Sequence, residues 1–171
     1  MTTKSRMGQI QTVTGLIGPK DLGVTLTHDH LLKDSTPLVA PGPEASIRDF
    51  YHHPVSEDTV GLLRHYADVM VNADDFLLSD VANAIDEVLL YKQYGGDSIV
   101  DVTSIGLGRD PVGLARISRA TGVTVVMGGS FYVPVAHPAD MDKRSEDDLV
   151  ERIVRDVTEG VDGTGIKSGV I

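Results

Sequence analysis

No cysteine and no tryptophan occur in these 171 residues, and only three phenylalanines do. Without cysteine there is no disulfide and no thiolate metal site, so a transition-metal centre has to be built from imidazole and carboxylate. Positive charge is scarce as well: 15 Lys and Arg against 25 Asp and Glu leave a formal net charge of −10. A chain of that sign is a poor partner for a phosphate backbone, which is bound by cationic side chains that release counterions. No basic cluster offsets the deficit, so nucleic acid is set aside as a ligand. Long apolar runs are also missing. Nothing approaches the roughly 20 residues of a membrane span. The opening MTTKSRMGQIQTV lacks the apolar centre of a secretory signal. The expectation is a soluble, cytoplasmic protein that meets no membrane.

Hydrophobic residues make up 41% of the chain, enough to fill one core. From residue 76 their pattern becomes regular. Val81, Ala84, Ile85, Val88 and Leu89 have helical spacing and predict a helix over 80–94, stopped by Gly95-Gly96. SIVDVT at 98–103 is a β-branched run that reads as a strand covered on both faces. Asp110 stands where an N-cap belongs and Pro111 where a first-turn proline belongs; that helix is expected to reach about Ala120, with Gly122 closing it. The next strand is 123–127. Ser145, with Asp148 three residues on, is close to a capping box. Leu149, Ile153 and Val157, with Val150, Val154 and Val161, predict the buried stripe of the helix that follows. Residues 166–171 begin a fourth strand.

Upstream the pattern is looser. Ile10 and Val13 are the apolar points of an N-terminal arm and turn over 1–23, with Gly15, Gly18 and Pro19 marking the turn. Residues 24–27 read as the first strand. Residues 33–75 hold Pro37, Pro41, Pro43 and Pro54 and one expected helix over 57–71, and read as a lid-like loop region. Strands alternating with helices imply a parallel α/β fold. Four such strands with three helices leave an apolar edge unpaired, and a closed barrel needs about 250 residues. The chain therefore reads as one incomplete domain over 1–171, the N-terminal half of a (β/α)8 TIM barrel.

Parallel sheets place their working groups at the carboxyl ends of their strands. The first strand runs into TLTHDHLL, where His28 and His30 are two apart. On a strand, such residues share a face, and Asp29 between them points to the other. Two imidazoles on a rigid element suit a divalent ion. By itself His-x-His is a weak signal in a chain with six histidines. Asp101, in the second strand, reads equally as a carboxylate that orients an imidazole from the second shell of a metal site or as one satisfied by backbone amides. Tyr132 alone reads as a packed aromatic, and Arg109-Asp110 as a loop clamp followed by a helix cap. His52 and His53 read as exposed loop residues and His65 as a surface or lid residue; His137 falls at the working end. Gly106 and Gly108 lack the rest of a dinucleotide fingerprint. Two other readings stay open here: a doubly wound ligand-binding domain with incidental histidines, and a non-catalytic half-barrel scaffold that dimerises through its open edge.

Three stretches carry a wider likeness: TVTGLIGPKDLGVTLTHDHLL, GGDSIVDVTSIGLGRDPVGLARISRATGVTVVMGGSFYV and DLVERIVRDVTEGVDGTGIKSGVI, with a looser match at NADDFLL. On these the chain resembles the phosphotriesterase and phosphotriesterase-related family of the amidohydrolase superfamily. The resemblance implies a barrel hydrolase with two divalent ions, usually zinc, at its mouth. Hydroxide bound to those metals cleaves a phosphotriester, lactone, ester or amide of a small molecule. It implies His28 and His30 as metal ligands and Tyr132 as a substrate-pocket wall. The bridging lysine or glutamate, two further histidines and the proton-handling aspartate are expected beyond Ile171, so no catalytic residue is assigned within the chain. Lys167 lies too early in its strand to be the bridging lysine. The complete enzyme is expected to be a homodimer, and the 171 residues alone inactive.

Overall fold

The computed structural model describes residues 8–66 and 71–171. A hairpin of β1 (Ile10–Thr12) and β2 (Gly15–Ile17) opens the chain, followed by β3 (Thr25–Asp29). Next come β4 (Lys33–Asp34), α1 (Ala45–Tyr51), α2 (Glu57–His65) and β5 (Leu77–Leu78), with β4 and β5 paired antiparallel. Then the alternation begins: α3 (Val81–Gln93), β6 (Ser98–Asp101), α4 (Pro111–Thr121), β7 (Thr124–Met127) and α5 (Glu146–Thr158). The order β3-β6-β7 is parallel throughout, as the sequence pattern requires.

The caps explain why the helices begin and end where they do. Asp80 accepts the amide of Ala82 (2.7 Å), and Asp110 accepts that of Gly113 (2.9 Å). A side chain at Gly113 would meet the Asp110 carboxylate and Leu32 Cδ1, each at 2.4 Å, so the cap demands glycine there. Gly122 takes the left-handed conformation (φ 70°) that closes α4. Two apolar clusters lie between the sheet and these helices. One gathers Val13, Leu114, Ala115, Val125, Met127 and Val161; the other gathers Leu32, Val88, Ile99, Ile117 and Val123. The Tyr91 hydroxyl stands 2.9 Å from the Val24 carbonyl and 3.0 Å from that of Ser98, fastening the amino ends of β3 and β6 together.

Several sequence expectations need correction. The supposed turn at 15–19 contains β2, because Thr12 Oγ1 turns the chain by bonding the Gly15 carbonyl (2.8 Å) and lets the hairpin pair. Residues 33–75 hold two helices where one was expected, and α2 ends at His65; the rest of the helix expected over 57–71 falls largely on residues outside those described. That segment is pinned by Asn72, fully buried, whose Nδ2 reaches the carbonyls of Phe50 (2.8 Å) and His53. The α5 stripe is narrower than read: Val150 and Val154 are 52% and 53% exposed. The helix is rolled to bury Asp156 instead, for a reason given below. Residues 166–171 lie along β7 but make only a bridge, Gly128 to Val170, rather than a full strand.

Candidate active site

The carboxyl ends of β3 and β6 bring the predicted residues together. The β3–β6 ladder slips by one residue between Leu26 and Asp29, so Thr27 and His28 together face Val100. Bulges of this kind re-aim side chains and recur beside active sites. Past this one, the rings of His28 and His30 meet edge to face with centroids 5.8 Å apart. Asp29 turns its carboxylate to the His30 amide (2.7 Å). His28 is exposed and His30 half-buried.

The partner of His30 is one the sequence reading passed over. His30 Nδ1 lies 2.9 Å from Thr103 Oγ1, which itself donates to the Leu32 carbonyl (3.1 Å). Since that hydroxyl proton is committed to Leu32, Nδ1–H donates to Thr103, and Nε2 keeps its lone pair for a ligand. Asp101 makes no hydrogen bond to His30. It accepts the Leu31 amide (2.7 Å) and the Thr103 amide (2.9 Å), holding the residues on either side of the ring's contacts in place. Burial pushes the Asp101 carboxyl up, against those amides, which pull it down. Burial likewise holds His30 below the usual histidine range, with Asp101 opposing it, so the ring is neutral at pH 7 and available as a donor. The signal for Thr103 was in the sequence: Asp101 and Thr103 are two polar residues on one face of an otherwise β-branched strand.

A second group occupies the loop after β7. His137 Nε2 lies 2.8 Å from the Tyr132 carbonyl, and its ring packs edge-on to Phe131. Tyr132 is half exposed. Ser130 adopts a left-handed conformation (φ 73°) just before it, the kind of backbone strain that clusters at binding loops. His53 lies 3.7 Å from Asp49, a contact within the lid-like segment itself. Lys167 donates to the Thr158 carbonyl at the end of α5.

The Phosphotriesterase family model matches residues 8–171. The chain belongs to the phosphotriesterase family. An N-acetyltaurine hydrolase of Xenopus tropicalis is 35% identical over 98% of this chain and 47% of its own length. Among solved structures, a resiniferatoxin-binding protein from Rhodobacter sphaeroides is 40% identical with a TM-score of 0.87, over 95% of this chain and 45% of its own. A PTE-like lactonase variant from Deinococcus radiodurans, at 24% identity and TM-score 0.64, shares the fold. This chain thus spans about half the length of the relatives it matches. It has the architecture of half a phosphotriesterase-type TIM barrel, and its family is one of hydrolases. Among the described residues no helix is long and apolar enough to cross a membrane.

Proposed function

We propose that this chain supplies one half of a hydrolase mouth in which His28 and His30 are two ligands of a divalent metal. The observation that carries the reading is the convergence of the two rings, with His30 anchored through Nδ1 and its Nε2 unengaged. The donor set fits such an ion in part. Imidazole nitrogens suit zinc, and an oriented second nitrogen is the usual support for a histidine ligand. Among the described residues no third metal-binding side chain joins the pair. The remaining ligands are therefore assigned to the part of the family's barrel that this chain does not match. Zinc, two ions per complete site, is the proposed metal. When bound, such an ion lowers the pKa of water towards 7 and polarises the bond to be cleaved. The chain's own contribution is to orient. Thr103 fixes the His30 tautomer, Asp101 fixes the backbone around it, and Tyr132 walls the substrate side. The proposed substrates are small amides, esters, lactones or phosphotriesters, in a soluble cytoplasmic enzyme that is dimeric when complete.

Zinc titration followed by histidine ring NMR tests this. The His28 and His30 signals should move together while those of His52, His53, His65 and His137 stay still. Zinc shifts spread over all six rings, or absent from this pair, would refute the assignment. Turnover of a lactone or acyl amide by the 171 residues alone is expected to be nil. A second reading, a non-catalytic half-barrel that self-associates, is favoured by the sheet's open edge, where Val24 and Leu26 are 63% and 40% exposed. Sedimentation showing a stable dimer with no zinc response at the histidines would favour it.

A further inference from the structure

Among the described residues, the most deeply buried charge pair lies away from the histidines. Arg109 and Asp156 have side chains 3% and 1% exposed, with Nη2 and Oδ2 2.7 Å apart. Arg109 leaves the loop after β6 and reaches across the sheet. Its Nη1 donates to the Gly128 carbonyl (3.1 Å) and approaches Ser168 Oγ (3.4 Å). The Ser168 hydroxyl donates to that same Gly128 carbonyl (3.2 Å), and the Ser168 amide donates to the Asp156 carbonyl (3.0 Å). One guanidinium therefore joins the end of β7, the body of α5 and the segment 168–170. Just beyond it, Gly169 donates to the Met127 carbonyl (2.9 Å) and Gly129 donates to that of Val170 (2.8 Å). On its other side the segment packs closely against the first hairpin: a side chain at Gly169 would stand 2.1 Å from the Gln11 carbonyl. Arg152 completes the arrangement, bonding Asp156 (3.0 Å) and Asp162 (2.8 Å).

A buried ion pair is weak evidence of stability, because apolar residues of the same volume often serve as well or better. What an apolar filling lacks is direction. The guanidinium is a rigid fork whose donors fix the angle and height of every group they reach. We infer that Arg109 and Asp156 are positioning residues that set the height of 168–170 against β7. They thereby set how this seam presents its carboxyl end to the mouth that also holds His28 and His30. The consequence for the mouth rests on the proposed hydrolase reading; the seam itself does not.

Amide hydrogen exchange on this chain tests the inference with two variants. Arg109→Lys keeps the charge and loses the fork. Arg109→Met with Asp156→Leu removes both charges at similar volume, and should keep the thermal midpoint close to that of the parent. In both, the amides of Gly129, Ser168 and Gly169 should exchange about tenfold faster or more, while the β6–β7 ladder keeps its protection. Parent-like exchange at these three amides in the double variant would overturn the inference, since filling alone would then do what the pair does. If the double variant fails to fold, Arg109→Lys decides by the same criterion. Zinc-induced shifts at His28 and His30 in the parent are measured separately. Their absence would defeat the hydrolase reading and leave the exchange result standing.

Discussion

Two carboxylates are withdrawn from water in this half-barrel, and they are satisfied in opposite ways. Asp101, fully buried, rests on the main-chain amides of Leu31 and Thr103. Asp156 rests on the guanidinium groups of Arg109 and Arg152. The difference decides what can be changed. A charge held by side chains can be removed together with its partners. A carboxylate held by backbone cannot, because the amides remain whatever replaces it. The two regions therefore have different kinds of freedom. The Arg109 seam can be redesigned as a unit, whereas the strand ends around His30 are fixed by the polypeptide itself.

The largest effect that would sharpen this contrast is expected from Asp156→Ala. It leaves Arg109 buried without a counter-charge and should cost about 3–5 kcal/mol in urea unfolding. A loss under about 1 kcal/mol would show that water reaches the guanidinium, and the contrast would break. Asp101→Ala should come next. It orphans the buried Thr103 amide, at about 1–3 kcal/mol, and the half-buried Leu31 amide at less, and no second substitution should recover the loss. If a nearby apolar substitution did recover it, the distinction between the two regions would fail. Thr103→Val should be smaller again in stability, about 1–2 kcal/mol, because one hydroxyl with its two neutral hydrogen bonds, from His30 and to the Leu32 carbonyl, is removed at nearly constant volume. Its mark should appear in zinc binding at His28 and His30, weakened about 10- to 100-fold through loss of the group that orients the ring. Unchanged zinc affinity would detach Thr103 from the site.

How much of this was readable in advance follows the same division. The helices and their caps were legible, since Asp110, Pro111, Gly122, Ser145 and Asp148 act on neighbours within four residues. The histidine pair was legible because both rings lie on one short stretch, although the bulge that aims them was not. Thr103 left a readable trace that was passed over. The Arg109–Asp156 contact spans 47 residues and left none, and it misled the reading of α5. Turning Asp156 inward rolls Val150 and Val154 out towards solvent, so a stripe inferred from apolar spacing alone comes out too wide. In the segment 33–75, prolines suggested irregularity, but Asn72 and the β4–β5 pairing impose order through contacts no local pattern records.

The smallest effect comes from a third carboxylate that calibrates the other two. Asp97, at the opposite end of β6, is partly exposed to solvent, and accepts the Val24 amide (3.0 Å) and pairs with Lys92 (3.0 Å). These contacts, the Val24 amide first, hold its carboxyl below the ordinary aspartate range. A depressed folded-state pKa favours folding wherever the carboxylate is ionised in both states. That contribution is complete above the ordinary aspartate range and is lost as pH falls through the lowered value. Asp97→Asn should therefore be slightly less stable than the parent from about pH 5 upward, with the gap closing at more acid pH. Added salt should shrink the gap only in part, because the Lys92 attraction is screened and the bond to the Val24 amide is not. The deficit of Asp156→Ala, by contrast, should persist in salt, since the pair it breaks lies out of reach of mobile ions. A salt-sensitive deficit at Asp156, or a salt-insensitive one at Asp97 with no closing at acid pH, would mean that burial is not what separates these carboxylates.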